Sequence, residues 1–175
     1  MILRGLLCLF AVVAVVLAYA ATKTDTVRVE RSAEIAASPD KVFALLSDFH
    51  RWPEWAPQDK EDASMVRTYS GAASGVGAVS AWQGKGSTGH GSMVITEATP
   101  EHNVTVTTDF VAPMKAHNVN TFVLEPTARG TRVTWTMVGT NVYMMKVMGV
   151  FTNMDRMMGK HFEEGLGNLK VAAER

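Results

Sequence analysis

Residues 5–21 are apolar or small and carry no charge, and Met1, Ile2 and Leu3 extend the run across one interruption at Arg4. No polar face exists, so an amphipathic helix lying on a core is a poor reading. At about 1.5 Å per residue, the stretch reaches the lower edge of what spans a hydrocarbon layer of roughly 30 Å. After a polar linker at residues 22–26, Val27, Val29, Arg31, Ala33 and Ile35 alternate with Arg28, Glu30, Ser32 and Glu34, the period of a half-buried strand. Ser38, Pro39 and Asp40 then supply an N-cap, a proline for the first helical position and an acid for the first turn. Val42, Phe43, Leu45 and Leu46 give this helix its apolar face. Asp48 ends it or caps the next, and Pro53 and Pro57 limit any second helix to a turn or two.

Short strand-like runs follow at residues 65–70, 78–83, 90–97, 103–111, 118–125 and 131–138, separated by glycines and prolines. Their regular spacing predicts an antiparallel meander. Parity puts Val104, Val106 and Phe110 on one face and Thr105, Thr107 and Asp109 on the other. Likewise Val133, Trp135 and Met137 oppose Arg132, Thr134 and Thr136, and Glu97 falls on the side of Met93 and Ile95. Past Gly139 the period turns helical: Met144, Met148, Phe151, Met154, Met158, Phe162, Leu166 and Leu169 recur at steps of three and four. One long helix is expected, with an interruption near Gly149. Gly159, Gly165 and Gly167 each weaken it by about 1 kcal/mol relative to alanine, so they are expected to permit close approach of other groups.

The 175 residues, 47% of them hydrophobic, suit one globular domain at residues 26–175 behind an N-terminal segment at 1–22. Lys and Arg number 17, as do Asp and Glu, so no global field draws the chain to nucleic acid. The lone Cys8 forms no intrachain disulfide. Eleven methionines suit a core that adapts to irregular contents. The N-terminal segment admits two readings. As an uncleaved anchor, it holds the chain in a membrane through residues 5–21 with the domain on the extracytoplasmic side. As a signal peptide, its Ala18-Tyr19-Ala20 ending fits cleavage near Ala20, and the domain is secreted or periplasmic.

Candidate chemistry is sparse. His50, His90, His102, His117 and His161 lack metal-ligand spacing, and no metal or other cofactor is expected. His161 beside Glu163 and Glu164 reads as a solvated helical face. There is no Gly-x-Ser-x-Gly elbow, and the glycine-rich residues 84–89 lack phosphate-loop spacing and read as a hairpin loop. Asp48, Glu97, Asp109, His117 and Asp155 remain acid/base candidates only if they point inward, and none is assigned as catalytic.

Several motifs in order carry a resemblance. They are Ser38-Pro39-Asp40-Lys41-Val42-Phe43, then Asp48, Trp52 and Trp55, then Gly75-Val76-Gly77-Ala78 with Trp82, then Gly89, Gly91, Met93, Ile95 and Glu97. Phe122-x-Leu124-Glu125-Pro126, Gly130-Thr131-x-Val133-x-Trp135 and the tail from Phe162 to Lys170 continue the series. The chain from about Val27 to Ala173 resembles the polyketide cyclase/dehydrase-like branch of the START-like (SRPBCC) superfamily.

That resemblance implies an α+β helix-grip fold: a curved antiparallel sheet of about seven strands around a long C-terminal helix, with two short helices after the first strand. It also implies a cavity between sheet and helix. Trp82, Met93, Phe110, Phe122, Trp135, Met137, Met154, Met158 and Phe162 are the expected lining. Trp52 and Trp55 are expected at the mouth, as a lid or as plugs of the core beneath. The superfamily includes lipid carriers, hormone and pigment binders and cyclases, so fold alone does not decide function. The expected partner is a hydrophobic small molecule or lipid, bound, sequestered or transferred. The alternatives are a cyclase, dehydrase or aromatase acting in the same cavity, and a structural domain with a filled interior.

Overall fold

The computed structural model describes residues 2–57 and 64–175; the side chains at 2–5, 7–9, 87 and 154 lie outside that description. Helix α1 (Ile2–Ala21) leads into strand β1 (Thr26–Ile35), helix α2 (Pro39–Leu46) and a 3₁₀ helix (Phe49–Glu54). Strands β2 (Val66–Gly71), β3 (Ala78–Gln83), β4 (His90–Thr99), β5 (Asn103–Ala112), β6 (Ala116–Thr127) and β7 (Gly130–Thr140) follow, then helices α3 (Tyr143–Phe151) and α4 (Met154–Ala173).

The seven strands form one antiparallel sheet in the order β1-β7-β6-β5-β4-β3-β2, so β2 to β7 are a meander and β1 closes on its last strand. Ser38 is extended and Pro39 begins α2, with the Ser38 carbonyl accepting from Val42 N at 3.2 Å. Asp48 caps the 3₁₀ helix, its carboxylate accepting from His50 N at 2.9 Å.

Two expectations about regular structure need correction. Glu97 does not share a face with Met93 and Ile95. A bulge between Ile95 and Glu97 inserts Thr96, so Glu97 pairs with Thr105 on the outer surface. The C-terminal segment is two helices, and the break falls at Thr152 and Asn153, past Gly149. There Asn153 restarts the helix, its side-chain oxygen accepting from Arg156 N at 3.0 Å.

The closed part of the core is solid. Val42, Leu45 and Leu46 of α2, Trp55, Ile95, Val104, Val106, Phe122 and Leu124, and Leu166 and Leu169 of α4 are all buried. Each such side chain contributes about 1.5–3 kcal/mol by leaving water. Gly165 lets α4 settle here, since a β-carbon at that position would stand 2.8 Å from Trp135 Cζ3 and 3.3 Å from Pro57 Cδ. Gly159 is covered by the Arg31 guanidinium, whereas Gly167 faces open space and permits no close approach.

Helix α1 packs against α3, and the hydrogen bonds that join this region to the domain lie near its C-terminal end. Tyr143 Oη donates to Leu17 O at 3.0 Å, and Lys23 Nζ donates to Gly149 O at 2.6 Å. Phe10, Val12 and Val15 are exposed. Counted over the described residues, no helix is long and apolar enough to cross a membrane, so the expected membrane span finds no support here. The apolar positions of α3 differ from expectation too: Met144, Met148 and Phe151 lie exposed rather than in the core.

Candidate functional site

The sheet's inner face is read off the register. Arg67 pairs with Trp82, Trp82 with Gly91, and Gly91 with Phe110. Ser80 pairs with Met93, Met93 with Thr108, and Thr108 with Asn118. Asn120 pairs with Met137, and Phe122 with Trp135. Toward the β4–β5 and β6–β7 turns this face is covered by α4 and the core just described. Toward the β3–β4 and β5–β6 turns it is not, and a cavity of about 320 Å³ remains between the strands and the first half of α4. That lies at the lower end of small-molecule pockets, roughly 300–1,000 Å³.

Seven of the expected side chains line this cavity: Trp82, Met93, Phe110, Trp135, Met137, Met158 and Phe162. Phe122 does not. It is wholly buried, 6.3 Å from Trp52, 5.9 Å from Trp55 and 4.9 Å from Trp135 between ring centroids. The side chain of Met154 lies outside the described residues. Trp52 lines the cavity but is only 3% exposed, with Nε1 donating to Leu46 O at 3.1 Å. Trp55 sits behind it, its Nε1 donating to Leu45 O at 3.3 Å. Both indoles are buried, each with its polar atom spent on the end of α2, and of the two Trp52 borders the cavity.

The wall is not uniformly apolar. Arg67, Thr88, Thr108, Asn118, Asn120 and His161 also line it. Their polarity hid them from a search for greasy inward faces, although parity with Phe110 and Phe122 marks Thr108 and Asn120. His161, expected on a solvated face, turns inward from α4 beside Phe162 and Met158.

The polar atoms are ordered as a chain. Trp135 Nε1 donates to Asn120 Oδ1 at 3.0 Å, and Asn120 Nδ2 donates to Thr108 Oγ1 at 3.3 Å. Thr108 Oγ1 accepts in that chain, from a side chain only 5% exposed, and its hydroxyl proton is a further donor beside the cavity. Nearby, Arg67 Nη1 donates to the buried Ser80 Oγ at 3.1 Å. Trp82 Nε1 donates to Thr88 O at 3.1 Å, and its ring meets Phe110 edge-on at 5.3 Å. The site can thus surround an apolar body and offer hydrogen bonds to one polar group.

Among the described residues, no group of three His, Cys, Asp or Glu side chains could hold a metal ion. Asp48, Glu97, Asp109, His117 and Asp155 all stand outside the cavity lining. Asp109 and His117 pair with each other on the outer face at 2.7 Å.

A family model described as polyketide cyclase / dehydrase and lipid transport matches residues 26–174. No curated protein matches the chain. Among solved structures, a Chromobacterium violaceum protein superposes with TM-score 0.58 at 16% identity, covering 87% of this chain and 99% of that one. The Aha1 dimer from Colwellia psychrerythraea superposes with TM-score 0.56 at 22% identity, over 85% of this chain and 96% of its own. The di-domain ARO/CYC BexL, from the BE-7585A biosynthetic pathway, gives TM-score 0.63 at 14% identity over 90% of this chain. This chain spans 53% of BexL's length. At these identities the likeness is one of fold, the curved sheet gripping a C-terminal helix.

Proposed function

Because the chain belongs to the polyketide cyclase/dehydrase and lipid transport family, we propose that it binds one small hydrophobic molecule bearing a hydrogen-bond acceptor and holds it in the cavity for sequestration or transfer. The observation that carries this reading is the Trp135–Asn120–Thr108 hydrogen-bond chain in the wall of a hollow of about 320 Å³ that is otherwise lined by large apolar side chains together with Arg67, Thr88, Asn118 and His161. Trp82, Met93, Phe110, Met137, Met158 and Phe162 surround the apolar body, where burial at about 25 cal/mol per Å² supplies most of the affinity. Thr108 and Asn118 meet the polar group. On the sequence alone, α1 tethers the domain to a membrane with the domain on the extracytoplasmic side; the alternative is release after cleavage near Ala20.

Native mass spectrometry of the purified full chain tests the reading, together with displacement of a hydrophobic fluorescent dye. A co-purified small molecule, or dye binding that Thr108→Phe abolishes by filling the hollow, is the expected result. A chain with no bound molecule and no affinity for the dye would overturn it.

A second reading, an enzyme of the cyclase or dehydrase type in the same cavity, is favoured by His161 and Arg67 in the lining. His161→Ala separates the two: a binder keeps its ligand affinity, whereas an enzyme keeps affinity and loses turnover of the bound molecule.

A further inference from the structure

We propose that the molecule held in the cavity is a small carboxylic acid, bound as its anion, and that Arg67 selects it over a neutral molecule of the same shape. The proposal depends on the cavity being the ligand site, as argued above, and names the charge of what that site takes.

Two basic side chains, Arg67 and His161, stand in the wall of the hollow, and among the described residues no Asp or Glu lines it with them. Only the guanidinium is charged at every working pH, so it sets the sign of the field inside. Its place is fixed by the sheet. Arg67 of β2 pairs with Trp82 of β3, and its Nη1 donates at 3.1 Å to the Oγ of Ser80, a wholly buried residue of β3. That bond draws the head group from the edge strand to the start of the row Ser80, Met93, Thr108 and Asn118, which crosses β3 to β6. Thr108 stands two strands further along, about 10 Å from Ser80 at the usual strand spacing. The acid at Arg67 is therefore a separate group from the acceptor that Thr108 meets.

A ligand that fills a hollow of about 320 Å³ takes water from the part of the guanidinium that borders it. A neutral body offsets little of that loss, whereas a carboxylate meets the planar fork with paired, charge-assisted hydrogen bonds. Trp82, Met93 and Phe110 share the wall with Arg67, and their apolar surfaces strengthen the attraction by keeping the surroundings of low polarity. One fixed positive charge also matches one negative charge. A phosphate monoester, close to doubly charged, would bring surplus charge against an apolar wall.

Displacement of Nile red, a neutral dye, from the full chain tests this with decanoate, decan-1-ol and decyl phosphate, which share one alkyl chain. Decanoate should bind more tightly than either of the others. Arg67→Gln should weaken decanoate roughly ten-fold or more while leaving the Kd values for decan-1-ol and Nile red within about two-fold of the parent's. Arg67→Lys should recover part of the loss, because it restores the charge without the fork. Decan-1-ol or decyl phosphate binding to the parent as tightly as decanoate overturns the proposal. So does a loss in Arg67→Gln shared by decanoate, decan-1-ol and Nile red, since Arg67 would then support the fold rather than select charge. A parent chain that binds Nile red without preferring the acid loses charge selection and keeps its ligand site; one that binds no Nile red loses both.

Discussion

The Trp135 indole and the Phe162 ring lie stacked, 4.0 Å between centroids and 4° from parallel. This pair joins β7 to α4 at the boundary where the solid core gives way to the cavity. One edge of Trp135 faces Gly165 and its Nε1 donates to Asn120, so the ring is held at these edges as well as by the stack, while part of it borders the cavity.

Truncating the stack should therefore cost stability and enlarge the hollow together. Phe162→Ala is expected to lower the unfolding free energy by about 3–5 kcal/mol, read from urea denaturation. Phe162→Leu should cost clearly less. A loss below about 1 kcal/mol for the alanine variant would mean that the ring is not packed as described.

Two glycines of one helix should respond with opposite signs. Gly165→Ala gains helix propensity of about 1 kcal/mol, but its methyl meets Trp135 Cζ3 at 2.8 Å, and that ring is pinned by Phe162. Overpacking of this kind costs roughly 1–3 kcal/mol, so the net effect is destabilising. Gly167→Ala meets nothing within 4 Å and should stabilise by up to about 1 kcal/mol. Urea midpoints of the two variants on either side of the parent value are the expected outcome; both on the same side would refute the account.

The contrast shows where sequence was a sufficient guide. Strand parity identified the inner face because burial alternates with a period of two, and five of the expected strand residues, Trp82, Met93, Phe110, Trp135 and Met137, stand on the cavity wall. Parity failed at Glu97 because one inserted residue, Thr96, resets the alternation, and nothing in the text from 93 to 97 marks a bulge. Depth along a strand was not legible either. Phe122 and Trp135 share a face and a pairing position, yet only Trp135 reaches the hollow, a distinction set by where α4 and the two indoles of the 3₁₀ segment sit. The polar half of the wall was missed for a different reason. An inward threonine or asparagine breaks the hydrophobic pattern, and its partner lies on another strand, as Asn120 lies beside Thr108 and Trp135.

That polar chain makes a separable prediction about affinity. Thr108→Val keeps the side-chain shape and removes the whole hydroxyl, so Asn120 Nδ2 loses its acceptor and a ligand accepting from Thr108 loses one hydrogen bond. Such a bond is worth about 0.5–1.5 kcal/mol, which corresponds to a Kd weakened roughly 2- to 13-fold by titration. Asn120→Leu acts on the fold instead. It strands the Trp135 N–H without an acceptor and should cost about 1–3 kcal/mol in unfolding free energy. Unchanged affinity in Thr108→Val would show that no ligand acceptor sits there.

Acid should loosen the start of α4 through a single inward arginine of β1. Arg31 Nε donates to Glu163 at 2.9 Å, and its Nη atoms reach both Asp155 carboxylate oxygens at 3.0 and 3.2 Å and the Asp155 carbonyl at 3.1 Å. The Asp155 hydrogen bond, ahead of the one to Glu163, raises Arg31 further above its usual range; reciprocally, the Arg31 hydrogen bond holds the Asp155 carboxyl below its ordinary value. A depressed folded-state pKa means stability that is fully present above the unfolded value, near 3.9, and lost as pH falls through the folded one. Asp155→Asn should therefore have a lower melting temperature than the parent at about pH 6, with the gap closing as pH falls below about 4. Both partners of the bridge are partly solvated, so the gap should shrink in high salt. Met158, His161 and Phe162 ride on the same helix, so Arg31→Ala should also speed ligand release, seen as a faster dye off-rate at neutral pH. An off-rate equal to the parent's would mean that the clamp positions the helix without gating the cavity.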